Sequence, residues 1–228
     1  MGSPSLVLSN WTSFFFTLFF PFTAPPPSIK LISFQGVGWV GVPGCLQNTR
    51  LSDYDAAVAH ELGHNLGAMH ASYMTAGSRG ADAFGTLSDL NDRSDWVEYG
   101  NPHSTMGQGV FVGGPGKADF MIEGKAVFDW VSDAEMVDVV PYGAGGECQA
   151  CGLYYLFPTD ATTKPASGAT LGITIATATA NRYYFIEHRT ASTSGNAALI
   201  TWADINLARG ETGVYGNSVL VDCTPGTS

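Results

Sequence analysis

The sequence predicts an α+β fold, with one principal helix in the first half of the chain and a sheet built mainly from the second half. Residues 52–66 contain no proline and place apolar residues four positions apart, which predicts a helix. From residue 141 onward, segments rich in Val, Ile, Thr and Tyr predict strands. Residues 71–116, rich in Gly, Ser, Asp and Asn, predict long ordered loops between these regions.

Length and charge restrict the classes of function. A chain of 228 residues can form one sizeable core, or a larger domain followed by a small β module. The formal charge of −10, with only 10 Lys and Arg residues, leaves no basic surface for phosphates, so we expect no nucleic-acid partner. The 28 glycines and the charged fraction of 13% are more typical of a loop-rich extracellular protein than of a helical cytosolic one.

An apolar run, WTSFFFTLFFPF, occupies residues 11–22 and is followed by three consecutive prolines. A transmembrane helix needs about 20 apolar residues, whereas the core of a secretory signal needs about 7 to 15. Residues 1–30 are therefore predicted to be a signal-like segment with a Pro-rich linker, and we expect a secreted protein without a stable membrane span. The alternatives are an apolar flap on the domain or a misassigned first exon, because no Lys or Arg precedes the run.

The four cysteines also favour an oxidising compartment. Their even number permits two disulfides, although the pairing of Cys45, Cys148, Cys151 and Cys223 does not follow from their positions. The CxxC at 148–151 has the spacing of a redox pair or of half a zinc knuckle, but the sequence has no second CxxC to complete a four-thiolate site. Structural disulfides are the favoured interpretation.

The pattern around the main helix gives its limits and its expected buried side. Residues 31–44 predict one or two short strands punctuated by glycines. Ser52 and Asp55 form a capping-box-like start, and Gly67 predicts the end because glycine readily adopts the left-handed conformation. The apolar residues with fourfold spacing predict a buried stripe formed by Val58, Leu62 and Leu66.

Further along, residues 117–140 predict a second helix that is broken near Gly124. Beyond residue 141, five segments predict strands: GLYYLFP, TLGITIATA, NRYYFIEHRT, AALITWADI and SVLVDC. In the second of these, Leu171, Ile173 and Ile175 alternate with smaller residues, which predicts a strand with one buried face.

The segment HELGHNLGAMH, residues 60–70, carries the residues of greatest chemical interest. His60 and His64 are four residues apart, so on a helix both imidazoles face the same side and can bind one metal ion. Gly67 lets the chain turn so that His70 can return as a third ligand. Three protein ligands leave a fourth position open, as in catalytic zinc sites, and Glu61 is placed to activate a zinc-bound water.

The alternative is a helix whose histidines are merely surface or core residues. Three of the five histidines fall within eleven residues, and a helix that binds no metal gains nothing from this clustering. Adding a Gly and a third His at fixed offsets makes a chance match much rarer than for HExxH alone. The metal-binding interpretation is therefore favoured.

A second motif, EYGNPHSTMGQG at residues 98–109, makes a family resemblance specific. HExxHxxGxxH followed by a loop methionine resembles the metzincin metalloproteases, and EYGxPxSxMG is similar to the gametolysin family (peptidase M11). The resemblance implies that Met106 is the Met-turn residue, an apolar floor under the three histidines that does not bind zinc. RYYFIEHRT, in the β region, is similar to a tyrosine-rich strand of that family.

What the resemblance implies is a zinc endopeptidase acting on a protein or glycoprotein substrate of the extracellular matrix or cell wall. It implies a metzincin-like catalytic domain at residues 31–140 and a β-rich lobe at residues 141–228. The alternative is a catalytically inactive or truncated zinc-binding module that binds a matrix partner. This alternative arises because only about two dozen residues separate the prolines from the helix, enough for two or three strands of ordinary length.

The sequence also departs from the family pattern. Asn101 stands where we expect Asp, which predicts a weaker hydrogen bond in that loop. No Tyr lies two residues beyond Met106, so no residue is assigned to stabilise an oxyanion. With three ligands already present, His103 is predicted to be a loop residue, and His188 to lie on the surface of the sheet.

Overall fold

A computed structural model describes residues 36–47, 54–74, 96–109, 118–141, 147–163, 165–177, 180–192, 195–205 and 215–221. The predicted signal-like segment and linker, the capping Ser52 and Cys223 lie outside the described residues. The described fold is mixed α+β, with more strand than helix, as the sequence predicts.

The predicted main helix is confirmed as α1, Tyr54–Asn65. A two-stranded antiparallel sheet packs against it, formed by β1, Gly36–Gly38, and β2, Cys45–Gln47. Asn65, at the end of α1, joins the helix to the residues between β1 and β2. Its Nδ2 donates hydrogen bonds to the carbonyls of Trp39 at 3.0 Å and Gly44 at 2.8 Å. Gly67 has a φ of 102°, which confirms it as the residue that ends the helical path.

The predicted buried stripe on α1 is wrong. Leu62 and Leu66 are 41% and 40% exposed, and Val58 is only half-buried. The buried side of α1 instead carries Ala57, His60, Glu61 and His64. These positions are also separated by three and four residues, so the helix does have one buried side, but its polar residues occupy that side.

A seven-stranded mixed sheet forms the larger part of the described structure, with the strand order β4-β3-β9-β8-β7-β6-β5. The strands are β3, Ala71–Met74; β4, Trp96–Val97; β5, Met136–Val139; β6, Gly172–Ala176; β7, Arg182–Ser192; β8, Gly195–Ile205; and β9, Tyr215–Leu220. β3 pairs with β9, and β5 with β6, in parallel, whereas the other neighbours are antiparallel.

The predicted division between residues 140 and 141 falls inside this sheet. β5 precedes the division and β6 follows it, yet the two pair directly, with Val137 opposite Ile173. At the other end, β3 pairs with β9, the last described strand. Strands from the two predicted parts of the chain thus share one hydrogen-bonded sheet.

The prediction for residues 117–140 needs correction. The helix there, α2, Ile122–Val127, contains Gly124 and is not broken at it. Residues 133–135 form a short 3₁₀ helix, and the chain then enters β5 and not a longer helix. Ser132 and Glu135 form a reciprocal capping box around this 3₁₀ turn.

Four of the five segments predicted as strands after residue 141 contribute to β6, β7, β8 and β9, which confirms them. GLYYLFP does not form a regular strand and makes only isolated bridges, at Leu156 and Pro158. On β6 the predicted face is also wrong, because Gly172 and Thr174 are buried whereas Ile173 and Ile175 are only half-buried. Leu171, just before the strand, is buried as expected.

The main core is formed by side chains of the sheet, of α2 and of the segments that precede α2. Its buried members include Met106, Phe120, Ile122, Leu171, Phe185, Ala203 and Ile205. A disulfide joins Cys148 to Cys151, with a Cα–Cα distance of 5.7 Å, so the two cysteines of the CxxC pair with each other. Cys45 forms no disulfide within the described residues. In that same part of the chain, no helix has the length and apolar character needed to cross a bilayer.

Candidate metal centre

The buried side of α1 brings two of the predicted ligands together. His60 and His64 are 4% and 7% exposed, and their ring centroids are 4.8 Å apart with nearly perpendicular planes. His70 follows the turn at Gly67 and comes back to the same place, 5.0 Å from the His64 centroid and 5.5 Å from that of His60. The sequence therefore predicted correctly which three histidines come together.

Each of the three imidazoles is held through its Nδ1 atom. His60 Nδ1 lies 2.9 Å from the carbonyl oxygen of Thr105, and His64 Nδ1 lies 2.7 Å from that of Ala68. Because a carbonyl oxygen can only accept, both Nδ1 atoms carry the proton. His70 Nδ1 is bound in the same way, to the Glu98 carboxylate at 2.7 Å.

This arrangement fixes the tautomer needed for metal binding. With a proton on Nδ1, the Nε2 atom of a neutral imidazole keeps a free lone pair. Ligand atoms of His60, His64 and His70 all lie within 4.8 Å of one another. Zinc–nitrogen bonds of about 2.0–2.1 Å place nitrogens about 3.4 Å apart, so small side-chain rotations suffice to bind an ion. The triad therefore suits a transition-metal ion that accepts imidazole ligands.

Burial favours the neutral form of His60 and His64. Desolvation lowers the pKa of His60 to about 4, assisted by the nearby His64 and His70, although the bond to Thr105 opposes the shift. Desolvation also lowers the pKa of His64. Since only the neutral imidazole binds a metal ion, His60 and His64 stay able to bind one at a lower pH than an ordinary histidine.

Glu61 is buried beside the triad and is not one of the three clustered ligands. Burial raises the pKa of its carboxyl to about 7, and a hydrogen bond from the Gly38 backbone partly offsets that shift. β1 passes so close that a Cβ added to Gly38 would lie 2.7 Å from the Glu61 carbonyl oxygen and 2.9 Å from its Oε2. The short strand thus lies against both the backbone and the carboxylate of Glu61.

Met106 lies directly under α1. It is fully buried, and a Cβ added to Gly63 would lie only 2.4 Å from its Sδ atom. Its backbone connects the loop to the start of β3, because Ala71 N donates to the Met106 carbonyl at 2.8 Å. Met106 is therefore part of the apolar layer beneath the helix that carries His60 and His64, in agreement with its expected packing role.

Asn101 keeps the loop hydrogen bond that we expected to be weakened. Its Oδ1 accepts from the His103 backbone N–H at 2.9 Å, as an Asp oxygen would, and only its Nδ2 has no partner within the described residues. His103 lies in this loop, as predicted, and is buried but does not join the triad. His188 lies on β7, half-buried, with its Nε2 against the Asn196 side chain.

Arg189 links this loop to the sheet. From β7 its guanidinium donates to the carbonyls of His103 and Phe120, both at 2.7 Å, and forms an ion pair with Glu187 at 3.1 Å. Arg189 and Glu187 are both almost completely buried. The sheet thereby fixes the loop that contributes the Thr105 carbonyl and Met106 to the site.

Several contributors were not predicted as site residues, among them Gly38, Glu98, Tyr99 and Arg189. Each reaches the site from a distant part of the chain, so local periodicity gives no signal for them. A partial signal did exist for two of them, since Glu98 and Tyr99 begin the EYGNPHSTMGQG motif. The Tyr99 ring stacks on two of the three histidines.

Comparisons of the chain with protein-family models, curated proteins and solved structures found no match.

Proposed function

We propose that this protein is a zinc-dependent endopeptidase. The observation that carries the proposal is the meeting of three Nδ1-bound imidazoles, those of His60, His64 and His70, next to the buried Glu61 carboxylate. Three neutral nitrogen ligands with an open fourth position are typical of catalytic zinc and not of structural zinc. The resemblance of the two sequence motifs to metzincins agrees with the same chemistry.

In this proposal, different residues of the chain have different roles in peptide hydrolysis. Zinc, when bound, would polarise the scissile carbonyl and make a water more acidic. Glu61 takes the proton of the attacking water and passes it to the departing amine, a role that suits a carboxyl with a pKa of about 7. His60, His64 and His70 fix where the reaction occurs, and the Gly38 N–H keeps Glu61 oriented.

The proposed substrate is a protein or glycoprotein of the extracellular matrix or cell wall. This part of the proposal is supported by the motif resemblance to the gametolysin family. The Cys148–Cys151 disulfide is compatible with the secreted location that such a substrate requires.

Glu61→Gln tests the assigned base. Glutamine has the same shape but cannot accept the proton, so we expect zinc content to stay at the wild-type level while cleavage falls by about 10²- to 10⁴-fold. Cleavage of a fluorescently labelled protein substrate and metal analysis of the same sample measure the two effects. Glu147→Gln, at an exposed position, is the matched control and should cleave at the wild-type rate. Equal cleavage by the Glu61 variant and the wild type would refute the role.

Metal removal separates the enzyme from a zinc-binding module that only binds a matrix partner. Dialysis against a chelator should abolish cleavage by the wild-type protein, and added zinc should restore it. Purified protein that carries one zinc ion but shows no chelator-sensitive cleavage would favour the inactive module.

A further inference from the structure

A tight turn at residues 97–100 brings two side chains to the metal triad. The N–H of Gly100 donates to the carbonyl of Val97 at 2.9 Å, which leaves Glu98 and Tyr99 as the two central residues. The last position of the turn has no room for a side chain, since a Cβ added to Gly100 would lie 2.7 Å from the Val97 carbonyl oxygen and 2.9 Å from the Cβ of Tyr73.

Tyr99 has an unfavourable backbone conformation in this turn. Its φ is 62°, in the left-handed region, where a turn usually has Gly or Asn at this position. A bulky side chain there costs conformational free energy, and such outliers tend to occur at functional sites. The ring of Tyr99 must therefore be held by contacts that offset the cost.

Those contacts are with the metal ligands. The Tyr99 ring centroid lies 3.7 Å from that of His70, and 5.6 Å from that of His60 with the planes only 27° apart. Glu98 accepts the hydrogen bond of His70 Nδ1 at 2.7 Å. Tyr99 thus fixes the position of the His70 ring, and Glu98 fixes its tautomer.

His70 needs this support more than the other two ligands do. His60 and His64 lie within a helix and donate to backbone carbonyls, at Thr105 and Ala68. His70 lies beyond the helix, and its Nδ1 partner is a side chain that is 70% exposed. Its orientation therefore depends on the turn and not on regular secondary structure.

We propose that the turn formed by residues 97–100 is the positioning element for the third metal ligand, with the Tyr99 ring and the Glu98 carboxylate holding His70 ready for zinc. The strained backbone of Tyr99 persists because it places the ring on His70. This inference rests on the proposed function only in requiring that the triad binds zinc. Neither Tyr99 nor Glu98 is assigned a chemical step.

The test measures zinc affinity and the stability of the zinc-free protein side by side. Zinc affinity is obtained by competition with a chromophoric chelator, and stability from the thermal midpoint of the full chain without zinc. Tyr99→Asn removes the ring but places a residue that tolerates the left-handed conformation. We expect zinc to bind about 10- to 100-fold more weakly while the zinc-free midpoint stays equal or rises.

Three further variants separate the ring of Tyr99 from its hydroxyl, and the acceptor oxygen of Glu98 from its negative charge. Tyr99→Phe keeps the ring and should retain wild-type zinc affinity. Glu98→Ala should weaken zinc binding by about 10- to 100-fold, and Glu98→Gln, which still offers an acceptor oxygen, should recover most of that loss. Because Glu98 is exposed, its substitution should leave the zinc-free midpoint unchanged.

Unchanged zinc affinity in both Tyr99→Asn and Glu98→Ala would overturn the proposal. A loss of zinc affinity together with a fall in the thermal midpoint of the zinc-free protein would also overturn it, because the loss would then reflect general destabilisation. Equal losses in Tyr99→Phe and Tyr99→Asn would overturn the role assigned to the ring. These results are distinct from failure of the proposed function, because no peptide substrate is present. If the wild type itself bound no zinc, both proposals would fail.

Discussion

At the residue scale, the distance between α1 and the loop beneath it depends on the absence of a side chain at Gly63. An added Cβ would lie 2.4 Å from the Sδ of Met106 and 2.7 Å from the Cε1 of Phe120. Both neighbours are buried in the main core, so neither can move away without disturbing other packing. A glycine inside a helix is thus required here by packing.

Gly63→Ala should therefore destabilise the protein even though alanine is the better helix former. We expect a loss of about 1–3 kcal/mol from overpacking, partly offset by the helix preference of about 0.5–1 kcal/mol. Urea unfolding of the zinc-free protein measures it. Gly152→Ala is the control, since an added Cβ there meets nothing closer than 3.6 Å and should change the free energy by less than about 0.5 kcal/mol. A Gly63 variant as stable as the wild type would contradict the close packing.

How far the site could be predicted also depends on single residues. His60, His64 and His70 follow from the sequence, because helical spacing and one glycine turn bring them together locally. Glu98 could not be derived from spacing, since its contact with His70 spans 28 positions of the chain. The same is true of Gly38, whose backbone reaches Glu61 through the packing of β1 on α1.

At the scale of the element, α1 shows why hydrophobic periodicity identified the helix but misassigned its buried side. The leucines at 62 and 66 recur with helical spacing, yet they are about 40% exposed. His60, Glu61 and His64 are buried instead, and backbone carbonyls satisfy both imidazoles, that of Thr105 for His60 and that of Ala68 for His64. The period was right, and the assumption that apolar residues face inward was wrong.

β7 is the element that connects the sheet to the site, through Arg189. Its guanidinium satisfies two backbone carbonyls, of His103 and Phe120, and neutralises the buried Glu187. A planar fork with several donors can make all these contacts together, whereas an ammonium group would have to reach them all from a single nitrogen. We expect the loop that contains Met106 to depend on this one side chain.

Arg189→Lys should therefore lower the free energy of unfolding by about 2–3 kcal/mol, because at least one buried carbonyl loses a charged donor. Chemical denaturation of the zinc-free protein measures the change. Arg182→Lys, on the same strand, is the control: Arg182 pairs with the partly exposed Asp204 at 3.2 Å and should cost at most about 1 kcal/mol. Equal effects of the two substitutions would show that Arg189 does not anchor the loop.

At the scale of the whole molecule, the sheet joins sequence regions that look separate. The family resemblance and the strand-like segments after residue 141 placed a boundary after residue 140, and the parallel pairs β5 with β6 and β3 with β9 join strands from both sides of it. The α+β class and four C-terminal strands could be predicted because each of these segments is locally rich in residues that favour strands. Which strands pair could not, since register depends on side chains that are distant in sequence.

The fold also buries a third ionisable side chain, that of Glu123, in addition to the ion pair of Glu187 and Arg189. Glu187 and Arg189 neutralise each other, and Glu123, on α2, is fully buried close to them. Its Oε2 accepts from Thr201 at 3.0 Å, while its Oε1 has no partner in the described part of the chain. Burial, followed by the repulsion of Glu187, raises the pKa of Glu123 to about 7.

This buried carboxyl should make stability depend on pH in a defined direction. A group whose pKa is raised on folding contributes stability that is fully present below its unfolded value, about 4.5, and that is lost as the pH rises through about 7. Glu123→Gln cannot ionise and keeps the size of the side chain. Relative to the wild type, the variant should be similar in stability at pH 5 and more stable by about 3 kcal/mol at pH 8.

Urea unfolding of both zinc-free proteins at pH 5 and pH 8 measures this difference. His60 and Glu61 also have shifted pKa values, lowered and raised respectively, but both proteins share these residues, so their effects cancel in the comparison. Glu147→Gln, at an exposed site, should match the wild type at both pH values. If the free energies of unfolding of the wild type and Glu123→Gln changed equally between pH 5 and pH 8, Arg189 would have to neutralise the carboxylates of both Glu123 and Glu187. The assignment of an uncompensated buried charge to Glu123 would then be wrong.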